Sequence, residues 1–510
     1  MKKSLLTFIV GGMLFTSCIK DHIGHGGGGN DDDNVDVSTL TFAKIGGFTN
    51  GAGEEGFAEI SAFDPKTNKL FVVNPVETEV SVWDITSPSL SVKLTSISLA
   101  GTPNSVAVHD GVLAVAVENA NKQMNGTIQT YNTESQTLMH TYNVGALPDM
   151  VTFSPNGKFI ISANEGEPND DYTVDPEGSV SVVDVQKNEV NTLFFTNCDA
   201  ASIGNNFRVF GPNASAAQDI EPEYVAISDD SKYAYVSLQE NNGMAVVDLK
   251  AMTISNVFGL GVKDHSLPEN KLDASNEDGI VGNFQNWPVL GFFMPDAITY
   301  TELNGIGYII SANEGDSRDY DGYSEEERVK DLILDPTVFP NAADLQMDEN
   351  IGRLKTTTAN GDTDGDGDFD EIYAYGARSF SIWSTSGDLV YDSADEIGRK
   401  TLEVNPAYFN ADEGEADGRS DDKGAEPESV TTLKVGESTL LFVGLERSGG
   451  VLVYDITNPN SPEYVNWLFD AMDVAPEGLL AVSKEDSPTG NALVVVTNEV
   501  SNTIAFYEIK

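Results

Sequence analysis

IISANEG occupies residues Ile160–Gly166 and recurs, unchanged, at Ile309–Gly315. Such self-similarity marks a repeated structural unit. The residues leading into the two copies extend it. LPDMVTFSPNGKF runs from Leu147 and MPDAITYTELNGIGY from Met294. Each reads as a Pro-acid start, a short strand, a polar turn and a β-branched strand ending in Asn-Glu. The same unit appears as AEISAFDPKTNKLFVVNP from Ala58, TPNSVAVHDGVLAVAVEN from Thr102 and EPEYVAISDDSKYAYVSLQEN from Glu221. It returns as EPESVTTLKVGESTLLFVGLER from Glu426, and as PEGLLAV from Pro476 leading to NALVVVTNEV.

A third alternating strand follows most units, as in VSVWDI (Val80–Ile85), GSVSVVDV and GGVLVYDI. In the fifth unit it is deferred to SFSIWSTSGDLVYDS, behind an insertion at about residues 316–376. Seven units of roughly 45–75 residues predict an all-β fold, a seven-bladed β-propeller, with the long insertion in the fifth blade. A stack of separate β-sandwiches would instead show Greek-key spacing and no single repeat. One helix is expected, at Ser324–Leu334 (SEEERVKDLIL), with Ser324 as N-cap and Glu327 completing a capping box.

Hairpin geometry places the residue opening strand one and the residue closing strand two on the same face. The opening positions carry Glu59, Asn104, Asp149, Glu223, Asp296, Glu428 and Glu477. The closing positions carry Glu118, Glu165, Glu240, Glu314, Glu446 and Glu499, with Asn74–Pro75 in the first unit. Two rings of acid are thus expected around a channel mouth. Carboxylates ~5 Å apart repel by about 3 kcal/mol at an effective dielectric near 20, so the rings need hydrogen bonds, protons, arginines or a metal. Ca²⁺ suits carboxylate and carbonyl oxygens best. An opening acid has a second use, fastening one blade to the amides of the next.

Arginine is scarce, and Arg318, Arg378, Arg419 and Arg447 lie in or beside these segments. They either neutralise the carboxylates or, with a metal, grip an anionic group such as phosphate. A separate motif, DTDGDGDFDE, starts at Asp362. Asp362, Asp364, Asp366 and Gly367 match the start of an EF-hand loop, and Asp368 or Asp370 would complete the shell. Tyr373 stands where the bidentate Glu belongs and no helices flank the loop, so the motif is a calcium loop without an EF-hand, or else a solvated acidic turn.

The 510 residues carry a formal net charge of −52. A polyanion of that size repels nucleic acid. The charge serves solubility, cation binding or both. Residues 1–17 read as a signal peptide: MKK, an apolar run too short to span a membrane, then LFTSC. That last stretch resembles a bacterial lipobox with Cys18 as the lipidated, membrane-anchoring residue, although Phe15 replaces the usual Leu; an ordinary secreted protein is the alternative. Residues 18–38 form a Gly- and Asp-rich tether, whose acidic run resembles surface-export signals of Bacteroidetes lipoproteins, and residues 39–510 form one propeller domain. With Cys18 lipidated, Cys198 has no partner for a disulfide, and the scarcity of His leaves little for a zinc site or a Ser-His-Asp triad.

NEGDSRDYDGYSEEERVKDL, GDTDGDGDFDEIYAYGARSFSIW, RSDDKGAEPESV and GLERSGGVLVYDITNP together resemble the choice-of-anchor type I proteins over about residues 40–510. The resemblance implies an exported β-propeller attached to the cell surface or outer membrane. Some bacterial members carry the label alkaline phosphatase. Two functions follow as expectations. One is a calcium-binding surface module that binds or adheres to a protein, a glycan or an anionic small molecule. The other is a metal-dependent phosphate ester hydrolase with ligands from Glu165, Glu314 or Asp316 and anion contacts from Arg318, Arg419 or Arg447.

Overall fold

The computed structural model describes residues 37–510 apart from 54, 197 and 413. The expected signal peptide, Cys18 and nearly all of the tether lie outside the described residues. Among them, seven four-stranded antiparallel sheets follow one another along the chain. The first is Ser61–Asp64, Lys69–Asn74, Glu79–Asp84 and Val92–Ser98. The innermost strands of the others are Pro103–His109, Pro148–Phe153, Val225–Ile227, Ile298–Leu303, Pro427–Val435 and Pro476–Val482. Each inner strand contacts the next, and the seventh contacts the first, so the sheets close a ring around a channel. The architecture is a β-propeller.

Packing explains the strand composition. Middle strands such as Phe159–Asn164 and Ser179–Asp184 are buried along their whole length, because a neighbouring sheet covers each face. Hydrophobic clusters fill the spaces between consecutive sheets, including the one between the seventh and the first, where Phe63, Leu70 and Trp83 meet Leu493, Val495 and Phe506. The fourth strands are different. Val92–Ser98 and Glu189–Phe194 are edge strands whose residues are almost all exposed or half-buried, so their burial imposes no strict apolar pattern. The outermost strand of the seventh sheet is Phe42–Thr49, which pairs antiparallel with Thr503–Ile509 and ties the two ends of the domain together.

The repeated stretch has a structural half. Asn164 is fully buried; its Nδ2 donates to the Ser179 and Ser181 hydroxyls at 3.2 and 3.0 Å while its Oδ1 accepts from Ser162. Asn313 repeats the network with Ser311, Ser379 and Ser381. Ser-x-Asn on the second strand therefore matches Ser-x-Ser on the third. The glycine that ends each copy adopts a left-handed φ, +77° at Gly166 and +87° at Gly315. A Cβ on Gly315 would lie 2.1 Å from the Gly376 amide nitrogen, so no other residue fits. Asn313→Ala removes three buried hydrogen bonds and leaves the Ser311 hydroxyl without its acceptor, while Ser379 and Ser381 keep Asp392; it is expected to cost about 1–3 kcal/mol, read from the urea midpoint.

The third strand of the fifth sheet is Ser379–Ser384, pairing with Ile306–Asn313 across the insertion as the sequence suggests. The expected helix at Ser324–Leu334 is absent. Tyr323–Ser324 and Glu326–Arg328 are short strands, and Val329–Asp331 is a single 3₁₀ turn. The reason is Glu325, whose fully buried carboxylate pairs with Arg208 and accepts the Arg318 amide. An extended backbone delivers it there, and that outweighs helix propensity. The insertion shares a small core with the segment before the fifth sheet: Leu272 and Val289 pack with Val329, Phe339, Ile351 and Leu354. Its Tyr373–Ala374 runs parallel to Leu290–Phe292. Both segments connect strands at the opening-and-closing face, so they cap the side carrying the acid rings.

Candidate functional site

A repeated corner builds the mouth. Leu147, Met294, Glu426 and Ala475 each precede a proline and adopt φ between +44° and +59°. This strained conformation turns the chain into the inner strand. The carbonyl of each corner residue accepts an amide from the closing position: Glu165 to Leu147 at 2.9 Å, Glu446 to Glu426 at 2.9 Å and Glu499 to Ala475 at 2.8 Å. In the fifth sheet the donor is Gly315, to Met294 at 3.1 Å. The opening and closing acids are stitched side by side by main-chain bonds.

The channel holds a cavity of about 820 Å³. Its walls include the opening acids Glu59, Asp149, Asp296 and Glu477, the closing acids Glu118, Glu165 and Glu499, and also Glu167; among the described residues Lys122 is the one basic residue lining it. Asn104 has the fastening role, donating to the Pro148 carbonyl of the next sheet at 3.3 Å. Glu59 is pushed up to about 8 by burial and then by Glu499 and Asp149. Asp149 is raised to about 6 by burial and then by Glu167. Burial likewise holds Glu165, Asp296, Glu428 and Glu477 well above the carboxylate range, their acidic neighbours adding to it.

Ligand distance is reached at two places on the rim. Oxygens of Asp296, Glu314 and Glu428 lie within 4.8 Å of one another, and so do oxygens of Glu314, Glu426 and Glu446. The second group is already compensated. Lys423 Nζ lies 2.5 Å from Glu314 and 3.6 Å from Glu426, Arg419 Nε reaches Glu426 at 2.6 Å, and Arg447 reaches Glu446 at 3.0 Å. In the first group, Glu428 Oε2 is buried with no hydrogen-bond partner, and the nearest ammonium is the Lys423 already bound to Glu314. That group fits an oxygen-loving divalent cation.

Other expected ligands are not gathered this way. Among the described residues Glu118, Glu165, Glu240 and Glu499 enter no such group, and Glu165 and Glu314 share no common point. Glu240 lies 7% exposed with its Oε2 unpartnered, raised to about 7 by burial against the opposing pull of Arg318. Between the two copies of the repeat, Gln239 Nε2 donates to Glu314 Oε2 at 3.1 Å.

The arginines pair with carboxylates or main-chain carbonyls. Arg318 is 1% exposed, pairs with Asp219 at 2.5 Å and Glu221 at 2.9 Å, and stacks on Phe210. Arg208 lies on the same ring, 4.1 Å from its centroid, and pairs with Glu325 of the insertion. The two cations lock insertion and propeller reciprocally. Arg378 is half-buried beneath the cap, donating to the Asp273 and Ser420 carbonyls. Asp316 is exposed beside Lys423 at 3.8 Å. Arg208, Lys423 and Glu426 escape a reading by ring position. A signal for Glu426 existed: EPEY and EPES both place a Glu two residues before the opening acid, and both glutamates pair with arginine.

In the insertion loop, oxygens of Asp362, Asp364 and Asp370 lie within 4.8 Å. Asp362 receives the Gly365 and Gly367 amides, which bends the chain around that point. Asp366 stands outside the group, its Oδ1 accepting the Asp368 amide. Asp368 converges instead with Asp370 and Asp335, a residue beyond the motif.

The model of the choice-of-anchor I domain matches residues 59–459. The sea urchin Strongylocentrotus purpuratus has a mesenchyme-specific cell surface glycoprotein that is 27% identical over 341 residues, covering 59% of this chain and 41% of that protein. Gigasin-3a of the oyster Magallana gigas is 29% identical over 192 residues, 32% of this chain and 67% of its own length. Among solved structures, a chain of Kuenenia stuttgartiensis hydrazine synthase superposes with a TM-score of 0.50 at 12% identity, covering 90% of this chain and 97% of that one. At that identity the likeness concerns the fold alone.

Proposed function

The chain belongs to the choice-of-anchor I family, and from that premise we propose that it is a surface-associated, calcium-binding module. In this reading the seven sheets are seven blades, and the chain is exported and anchored at the cell envelope through Cys18. Ca²⁺ sits at Asp296, Glu314 and Glu428, with a second, structural Ca²⁺ at Asp362, Asp364 and Asp370. A bound ion there would leave coordination positions for acidic groups of a protein or glycan partner.

The observation that carries the reading is the buried, unpartnered Glu428 Oε2 facing two further carboxylates within ligand distance. A binding role is favoured over phosphate ester hydrolysis because Arg318, Arg419 and Arg447 are all committed to carboxylates. Calorimetric titration of chelator-stripped protein with Ca²⁺ is expected to show two classes of site. Glu428→Gln should remove one and Asp364→Ala the other, with a fall in melting temperature only where the loop is emptied. No heat on Ca²⁺ addition in the unmutated protein would sink the proposal.

A further inference from the structure

We infer that Lys423 is a built-in competitor at the rim calcium site, holding Glu314 and yielding it to Ca²⁺. This rests on the calcium reading of Asp296, Glu314 and Glu428 and adds how that site is regulated. Among the described residues, Glu314 is the one carboxylate common to both rim groups. Lys423 Nζ lies 2.5 Å from its Oε1, and Gln239 Nε2 donates to its Oε2 at 3.1 Å. Gln239 is 5% exposed and fixes the carboxylate in place. Glu314 therefore does not follow a departing ammonium; it exchanges one cation for another.

A second position for the ammonium is already built. Glu426 is fully buried, and its Oε2 has no hydrogen-bond partner. That oxygen is 3.6 Å from Lys423 Nζ, just beyond hydrogen-bond reach, and a shift of roughly 1 Å would close the gap. A buried carboxylate oxygen without a donor is costly, so the move relieves one penalty as it vacates Glu314. Asp316 Oδ1, 3.8 Å from the same nitrogen, is a further acceptor. The backbone stays where it is. Arg419 pairs with Asp422 at 3.0 Å and Arg378 donates to the Ser420 carbonyl at 3.0 Å, pinning the turn that carries Lys423. The side chain alone makes the exchange. Such competition weakens apparent affinity by the fraction of time the carboxylate is free. It moves a three-carboxylate site toward the weak range of extracellular calcium modules, about 10⁻⁴–10⁻³ M.

The test is calorimetric titration of chelator-stripped protein with Ca²⁺, Glu428→Gln marking the rim class of site in each background. Lys423→Met is expected to tighten the rim class about tenfold and to leave the loop class within about twofold. A lysine of merely structural use would lower the melting temperature and tighten nothing. Lys423→Arg, which restores the charge, should return the rim class to within about threefold of the unmutated protein. Lys423→Gln still donates to Glu314 without the charge; it should tighten the rim class too, and it decides the matter if the methionine form does not fold. Arg447→Gln removes a rim charge paired with Glu446 instead and should change the rim class by less than about threefold. Rim binding that Lys423→Met and Lys423→Gln leave unchanged or weaken would overturn this inference and leave the calcium reading standing. Equal tightening by Arg447→Gln would reveal general charge repulsion and also overturn it. No rim binding in any of these proteins would overturn both.

Discussion

Arg318→Met is expected to lower the unfolding free energy by ~3–5 kcal/mol, as for removing one partner of a buried ion pair. The guanidinium is 1% exposed and neutralises Asp219 and Glu221, which are 1% and 2% exposed. Methionine keeps the stack on Phe210 but leaves two carboxylates without a cation. The loss should be smaller when Asp219→Asn and Glu221→Gln are added, because the penalty belongs to the orphaned charges. Arg447→Gln is the contrast. Its side chain is 31% exposed on the rim, and partly exposed pairs contribute about 0–1 kcal/mol. Equal urea midpoints for Arg318→Met and the unmutated protein would show that Arg318 is not a clamp.

Stability without added cation is expected to fall as pH rises from about 5 to about 8, the reverse of an ordinary acid-sensitive protein. The folded-state carboxyls are raised above their unfolded values: Glu59 from 4.5 to about 8, Glu240 from 4.5 to about 7 and Asp149 from 3.8 to about 6. Between those limits the folded state binds more protons than the unfolded chain, so raising pH favours unfolding. Below the unfolded values both states are protonated and the effect vanishes. Surface pairs act oppositely and at lower pH; the Asp470 carboxyl, for example, is lowered by the hydrogen bond from Lys44. The optimum should therefore lie near pH 5, with melting roughly 5–10 °C lower at pH 8. Millimolar Ca²⁺ should recover part of that loss by binding the folded state. A melting temperature flat from pH 5 to 8 in chelator would mean that the collar carries no excess protons.

The hairpin of each unit was legible because its determinants are local: Pro-acid starts, turn residues and middle strands apolar on both faces. The deferred strand Ser379–Ser384 was legible for the same reason, its Ser-x-Ser and Trp383 matching the third strands elsewhere. The edge strands were not, since Val92–Ser98 and its counterparts bury too little to need an apolar pattern. Phe42–Thr49 carries no mark of belonging to the last sheet.

The candidate site divides along the same line. Strand phase alone puts Glu314, Asp296 and Glu428 at one mouth, and main-chain bonds at the strained corners bring them within reach. Whether a given acid meets a metal, a lysine or another acid is not encoded by phase. Glu314 meets Lys423 from a loop 109 residues away, while Glu165, in an identical heptapeptide, faces Glu167 and Asp149. Arg318 follows the second copy of the repeat directly, yet it turns away from the channel to serve Asp219 and Glu221. The sequence by itself determined the repeat, the ring and the face on which acid collects, because these follow from alternation along single strands. Only the tertiary structure decided which charges compensate which, because that depends on how long insertions fold across the mouth, and their contacts are set by three-dimensional packing between segments distant in the chain.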